Sequence, residues 1–363
     1  MKPLFKTLLL LLIMPAVALS FNSSLNGKHT KEKTIKKQFE VSKNTLLKIN
    51  NRYGNVDITT WDQNTINIEV TIITNGNNEQ EVQNRLDEIT VEFNATNSQV
   101  SAETLIAKKK SNWSFWGSSS NNVNMKINYL VKMPKTNSLD VKNDYGAISL
   151  NEIDGNTTIS CNYGSFILGD LNGNENSLQF DYTTKASINF INSATINADY
   201  SEYEVNKAND IIYKGDYTRV LINEISGNFD FSTTYGKVEI KKAHNVTGES
   251  RYVTLTFGNL SKSLELDSKY GRISVDELKP GFKNVHINAK YTSINIGFNE
   301  NASFNLDTNL SYANLSGQDN FDFSLQNIHN TKKEYKGHYG KANSGNTVYI
   351  NSGYGGVTLK KNN

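Results

Sequence analysis

The sequence predicts an all-β fold, a single-stranded parallel β-solenoid (β-helix) with two-arm coils, and three observations support this prediction. A Tyr-Gly or Tyr-Thr motif recurs about every 18 residues. Apolar residues alternate with polar ones on both sides of the tyrosine, and in several coils a turn dipeptide follows ten residues after it. A fixed short period is typical of repeat architectures, in which each unit contacts mainly its neighbours. We expect right-handed coils.

The motif is anchored by ten tyrosines. Successive anchors are separated by as few as 17 residues, from Tyr200 to Tyr217, and by as many as 21, from Tyr270 to Tyr291. If the coils stack, like residues stack with them, and the rings then form a structural ladder that is partly buried, with hydroxyls reaching toward water. The predicted ladder consists of Tyr145, Tyr163, Tyr182, Tyr200, Tyr217, Tyr235, Tyr252, Tyr270, Tyr291 and Tyr312.

Each coil has two arms that meet at the tyrosine. In the first coil of the main array, Leu139 and Val141 alternate before Tyr145, and Ile148 and Leu150 alternate after it. Period-2 alternation is the pattern of a β-strand with one buried face. The sequence therefore predicts two strands per coil, joined at a corner.

Glycines and turn dipeptides mark the corners. A glycine follows the tyrosine in several coils, and we expect it to relieve the backbone there by adopting positive φ; these glycines are Gly146, Gly164, Gly236 and Gly271. The second turn carries the favoured dipeptides Gly155-Asn156, Gly173-Asn174 and Gly227-Asn228.

The chain divides into four parts. Residues 1–20 have the pattern of a signal peptide, with Lys2 and Lys6 before an apolar run and Ala16-Val17-Ala18 for cleavage. Residues 21–35 are a linker, and residues 36–135 form a first coil plus a β-rich N-terminal cap with one short helix around Glu79 to Ile89. Residues 136–363 form the repeat domain. The coil template also fits around Tyr53 and Tyr354, and residues 326–346 are an irregular insertion.

The motifs resemble the DUF4097 family. The resemblance rests on an exported leader, on Asn51-Arg52-Tyr53-Gly54-Asn55-Val56, on Val131-Lys132-Met133-Pro134 and on Val141-Lys142-Asn143-Asp144-Tyr145-Gly146-Ala147-Ile148. It covers roughly residues 36 to 363. It implies a β-solenoid protein of the cell envelope, of a kind commonly labelled adhesin without a demonstrated ligand.

The composition of the chain limits the kinds of partner and site that it can have. Lys and Arg number 38 against 36 Asp and Glu, which gives a net charge of +2 and no overall attraction to nucleic acid. We expect no transmembrane segment in the mature chain, because the apolar run of the leader is short for spanning a membrane. The single cysteine, Cys161, excludes an intramolecular disulfide, and we interpret it as a small buried side chain. The sequence leaves the oligomeric state open.

Two sets of residues are candidate sites. Asp181, Asp199 and Asp216 precede tyrosines of consecutive coils, where their carboxylates could bind calcium or form a solvated polar edge. Trp113, Phe115 and Trp116 lie in a polar segment beside a run of lysines, and they either contact a glycan or lipid headgroup or cover the open end of the solenoid.

These features favour an exported, non-catalytic protein that presents an extended surface for adhesion, its partner an envelope protein or glycan. Periplasm, outer-membrane surface and extracellular space all remain open as its location. Two alternatives remain, a polysaccharide-active β-helix enzyme and a structural or signalling envelope component without an external ligand. The enzyme would need carboxylates assembled in a cleft. No cofactor other than calcium is indicated.

Overall fold

The computed structural model describes residues 26–107 and 123–362, and in these ranges the chain is nearly all β with one α-helix. The helix is α1 (Glu79–Asp87), and one 3-10 turn covers Gln318–Asn320. The strands are β1 (His29–Glu40), β2 (Leu46–Arg52), β3 (Val56–Trp61), β4 (Thr65–Gly76), β5 (Ile89–Ala95), β6 (Gln99–Ile106), β7 (Asn124–Pro134), β8 (Ser138–Asp144), β9 (Ala147–Ile153), β10 (Thr157–Asn162), β11 (Ser165–Leu171), β12 (Asn176–Asp181), β13 (Ala186–Asp199), β14 (Glu202–Lys269), β15 (Arg272–Leu278), β16 (Asn284–Lys290), β17 (Ser293–Asn299), β18 (Phe304–Ser311), β19 (Leu315–Ser316), β20 (Asp322–His329), β21 (Lys332–Tyr339), β22 (Thr347–Gly353) and β23 (Val357–Asn362).

Strands that flank successive tyrosines pair in parallel. The strand before Tyr145, β8, pairs with β10, which pairs in turn with β12. The strand after Tyr145, β9, pairs with β11, and β11 pairs with β13. The long β14 continues both ladders around its corners at Tyr217, Tyr235 and Tyr252. We call the two strands that meet at one tyrosine a rung and name the rung by that tyrosine.

The registers keep apolar residues in columns. Val141 pairs with Ile159, and Ile159 pairs with Leu178 on the next rung. On the second ladder Leu150 pairs with Leu168. All five side chains are buried, so the alternation along each strand becomes an apolar interior between the two ladders.

At the N-terminal end, the rung of Tyr53 lies inside the stack. Its strands β2 and β3 pair in parallel with β8 and β9 on one side and with β6 and β7 on the other. Antiparallel pairing then covers the outer rung, because β5 pairs with β6 and β4 pairs with β7 and β1. This covers strand edges that would otherwise invite pairing with other chains.

At the C-terminal end, spatial order departs from sequence order. The last strands, β22 and β23, insert between the rung of Tyr291 and the rung of Tyr312. The segment predicted as an irregular insertion is largely a β-hairpin, in which β21 pairs antiparallel with β18 and with β20. One strand of the outermost rung, β18, is thereby covered by an antiparallel strand at this end.

Helix α1 agrees with its prediction to within two residues at its C-terminal end. The side chain of Asn78 caps it by accepting a hydrogen bond from the Glu81 backbone N–H at 3.2 Å. Val82 and Leu86 are its buried residues.

Among the described residues, the structure contains no helix of the length and apolarity needed to cross a membrane.

Candidate interaction surface

Every ladder tyrosine occupies a left-handed backbone position. The φ angles of the twelve tyrosines at rung corners lie between 50° and 64°. Such a conformation is uncommon for residues other than glycine, and especially for bulky ones. The backbone N–H still donates into the parallel ladder, as Tyr145 does to the Asn162 carbonyl at 3.0 Å and Tyr200 to the Asp216 carbonyl at 3.0 Å. The tyrosine itself therefore makes the corner.

This corrects the expected role of the following glycine. Gly146, Gly164 and Gly271 do not have positive φ, and Gly236 has φ 158°, at the limit of the left-handed range. A Cβ on Gly146 would lie 1.8 Å from the carbonyl oxygen of Gly54 on the neighbouring rung. Glycine is present there because two backbones approach closely.

The tyrosine rings form one continuous stack of twelve. Neighbouring ring centroids are 4.7 to 5.3 Å apart and neighbouring planes differ by 15° or less. Tyr53 extends the predicted set at one end, and Tyr354 lies between Tyr291 and Tyr312. At a strand spacing of about 4.8 Å the stack is roughly 50 Å long.

The stack decides which part of each ring meets solvent. The tyrosines from Tyr145 onward each expose between 41% and 60% of their surface. Neighbouring rings cover both faces of every tyrosine except Tyr53 and Tyr312 at the two ends of the stack, so the exposed part of an inner tyrosine consists of ring edge and hydroxyl. The surface therefore offers a row of hydrogen-bonding groups along the rungs rather than aromatic faces.

Three of the predicted site residues follow the same line. The backbone N–H of Asp199 donates to Asp181 Oδ1 at 3.3 Å, and the backbone N–H of Asp216 donates to Asp199 Oδ1 at 2.7 Å. The Thr234 N–H donates to Asp216 Oδ1 at 2.9 Å. One oxygen of each carboxylate thus satisfies the backbone of the next rung. In residues 26–107 and 123–362, no three His, Cys, Asp or Glu side chains are grouped so as to hold a metal ion, and calcium binding stays a prediction.

Charge changes sign along this line. We call the residues directly before the ladder tyrosines the corner row. In spatial order from the N-terminal end, the corner row is Arg52, Asp144, Asn162, Asp181, Asp199, Asp216, Thr234, Arg251, Lys269, Lys290, Gly353 and Ser311. Its middle is acidic on one side of Thr234 and basic on the other.

A groove lies beside the corner row on the same face. It has a volume of about 580 Å³, and the exposed residues that line it include Lys214, Glu249 and Asp267. Gly248 lies beneath it, where an added Cβ would come within 2.1 Å of the Phe231 ring. A smaller depression of about 220 Å³ lies along the corner row from Arg52 to Tyr182.

Cys161 lies beneath the tyrosine corner, at the inward position predicted for it. Burial raises the pKa of its thiol to about 11. The sulfur lies 3.7 Å from the Ser165 carbonyl oxygen and 3.9 Å from that of Gly146. A buried thiol with a raised pKa is a poor nucleophile.

The aromatic candidates Trp113, Phe115 and Trp116, like the predicted signal peptide, lie outside the described residues. Both alternatives stated for these three side chains remain predictions.

No protein-family model matches the chain, and a search of curated proteins finds no match. The resemblance to DUF4097 therefore stays a prediction. Among solved structures, a "putative cell adhesion protein" of Clostridium sporogenes is 11% identical, with 92% of this chain and 100% of that chain covered and a TM-score of 0.19. A "putative adhesin" of Parabacteroides distasonis is 13% identical over 73% and 93%, with a TM-score of 0.32. A "putative adhesin" of Bacteroides fragilis is 10% identical over 91% and 97%, with a TM-score of 0.28. At these scores, fold and function must be argued from the chain itself.

Proposed function

We propose that the chain is an exported, non-catalytic parallel β-solenoid, right-handed and DUF4097-like, that binds a protein or glycan partner at the bacterial cell envelope. The observation that carries the proposal is the half-exposed stack of twelve tyrosines with the charged corner row beside it. A twelve-fold repetition of a strained corner places identical side chains in line, and residues with strained backbone cluster at functional sites.

Because the ring faces are covered, the surface fits some kinds of partner better than others. A sugar ring that stacks on an aromatic side chain needs an open ring face, and the inner tyrosines have both faces covered by neighbours. What they offer is a hydroxyl about every 5 Å, flanked by charges. An extended polar partner that lies along the rungs and hydrogen-bonds repeatedly fits this surface best.

The aspartates support a binding role over catalysis. Each carboxylate of Asp181, Asp199 and Asp216 accepts a backbone N–H from the next rung. An oxygen that already accepts a backbone N–H is engaged by the fold itself, whereas a general acid or base must exchange its proton with a bound substrate.

The test is a binding assay with a hydroxyl-free surface. The mature chain and a variant with Tyr200→Phe, Tyr217→Phe and Tyr235→Phe are applied to a glycan array and to isolated envelope fractions. Phenylalanine keeps the stack and removes only the hydroxyls, so we expect at least about tenfold weaker binding with an unchanged melting temperature. Lys207→Ala, at an exposed position on the other strand of the Tyr200 rung, is the matched control. Equal binding by all three proteins would refute the proposal.

A further inference from the structure

Two groups of like charge lie symmetrically in the corner row. We call Asp181, Asp199 and Asp216 the acidic triplet and Arg251, Lys269 and Lys290 the basic triplet. The two triplets occupy the three rungs on either side of Thr234. Counted outward from Thr234, the first rung pairs Asp216 with Arg251, the second pairs Asp199 with Lys269, and the third pairs Asp181 with Lys290.

A second row carries charges of the opposite sign close to the same central rung. Three residues before each tyrosine, the side chain again points outward, and the central rung of Tyr235 carries Ser232 there. One rung away on either side lie Lys214 and Glu249, and Asp267 follows on the basic side; all three are exposed. Both rows therefore share one centre, the rung of Tyr235.

These charges have no ion-pair partner among the residues that the structure describes. Twelve ion pairs occur among the described residues, and none includes a member of either triplet, Lys214, Glu249 or Asp267. Within one copy the acidic and the basic triplet lie on separate halves of the face, on either side of Thr234. A second copy turned end to end brings them together.

We propose that this face binds a second copy of the chain, antiparallel, about a two-fold axis that passes through the rung of Tyr235. This rests on the proposed function, because it names the partner of the tyrosine surface. Each copy sets its acidic triplet against the basic triplet of the other, and its Lys214 enters the groove of the other beside Glu249. By symmetry every such contact is made twice, which is the property of an isologous interface.

Other arrangements fit the charges less well. Parallel copies in register place each triplet against itself, and like charges in register repel. Parallel copies shifted by four rungs match the triplets but leave Lys214 opposite the uncharged Asn288, and they form an open filament rather than a closed pair. The antiparallel arrangement pairs both triplets and also sets Lys214 against Glu249 about one centre, and it leaves Asp267 opposite Asn197.

The next outward row limits the width of the contact. Five residues before each tyrosine the central rung carries Asp230, which a two-fold axis would set against its own copy. The contact therefore extends from the tyrosines to the second row. This is a strip of roughly 45 by 15 Å, or about 700 Å² per copy, close to the roughly 800 Å² per partner of a standard stable interface.

Sedimentation velocity on the mature chain, from 1 to 200 µM, tests the proposal. We expect a monomer–dimer equilibrium at 50 mM NaCl whose dissociation constant rises at least about tenfold at 500 mM, because salt screens exposed charges. Two variants reverse one triplet each: Asp181→Lys, Asp199→Lys and Asp216→Lys in the first, Arg251→Glu, Lys269→Glu and Lys290→Glu in the second. Each alone should be monomeric over this range, and an equimolar mixture should form the heterodimer.

If the mixture of the two triplet variants dimerises, the loss of the dimer in each variant alone is due to the interface and not to a folding defect. The lysine variant loses the carboxylates that accept backbone N–H groups, so a third variant with asparagine at the same three positions keeps an acceptor and removes only charge. It should weaken the dimer and keep the melting temperature. Three results would each overturn the proposal. The chain could be a monomer at every concentration, it could form a growing series of larger species, or each triplet variant could still dimerise alone. If the chain stays monomeric while the phenylalanine variant still loses array binding, the dimer fails and the proposed function stands. If neither effect occurs, both fail.

Discussion

Replacing one ladder tyrosine by alanine and by glycine measures what the corner costs and what the stack contributes. Tyr200 has φ 50°, a ring 5.0 Å from that of Tyr182 and 4.9 Å from that of Tyr217, and about half of its surface buried. Truncation to alanine removes two stacking contacts of about 0.5–1.5 kcal/mol each and roughly 100 Å² of burial worth about 2.5 kcal/mol. We expect Tyr200→Ala to lower the free energy of unfolding by about 4 kcal/mol.

Tyr200→Gly loses the same contacts but no longer strains the backbone. Left-handed φ costs a residue with a Cβ about 1–2 kcal/mol, so the glycine variant should be more stable than the alanine variant by about 1 kcal/mol. In an ordinary strand the order is reversed, because glycine there is less stable than alanine by about 0.5–1 kcal/mol.

Urea denaturation of the three proteins, followed by circular dichroism, gives both differences. A matched pair at Leu168, buried on a strand and free of positive φ, should show the ordinary order, with alanine above glycine. If Tyr200→Ala is as stable as Tyr200→Gly or more stable, the left-handed φ of Tyr200 does not strain the backbone.

Three further predictions concern the core and the ends. Asn51→Ala should lower the free energy of unfolding by about 2–4 kcal/mol in urea titrations. The buried amide donates to the carbonyl of Ile127 and to Asn143 Oδ1, and removing the amide leaves these acceptors unpaired. A decrease below about 0.5 kcal/mol would contradict this. Iodoacetamide at pH 8 should label Cys161 at least about a hundredfold more slowly in the native chain than in urea, since raising the thiol pKa from 9 to about 11 lowers the thiolate fraction by that factor; equal rates would contradict a buried thiol. Deleting residues 347–363 should expose β18 and its hairpin to hydrogen exchange, because it removes a rung from inside the stack; protection of β18 as in the full chain would show that β22 is not its neighbour.

The repeat made the rungs predictable. Alternation around each tyrosine gives two strands and a corner, and the ring stack follows from any in-register pairing of those strands. The left-handed tyrosine was not predictable, because a bulky residue at positive φ contradicts its own preference and the adjacent Gly146 offered a simpler explanation. The close approach of Gly54 to Gly146 exists only once the rungs are stacked.

The order of the rungs at the C-terminal end could not be predicted from the sequence either. The copies around Tyr312 and Tyr354 fit one template equally well, so either can pair with the rung of Tyr291. The sign change of the corner row was visible in the sequence. Its symmetry about Thr234 could be recognised only with the spatial order of all the rungs.

The central claim is that tyrosine-marked segments lie one strand spacing apart along a common axis. Spin labels at Ser160 and Asn288, three residues before Tyr163 and Tyr291, measure this by pulsed dipolar spectroscopy in a Cys161→Ser background, with labelled chain diluted in unlabelled chain. Seven rung steps separate the two sites, so we predict one narrow distance distribution centred near 34 Å. A distance below about 20 Å, or a broad distribution, would contradict the stacked ladder and the surface built on it.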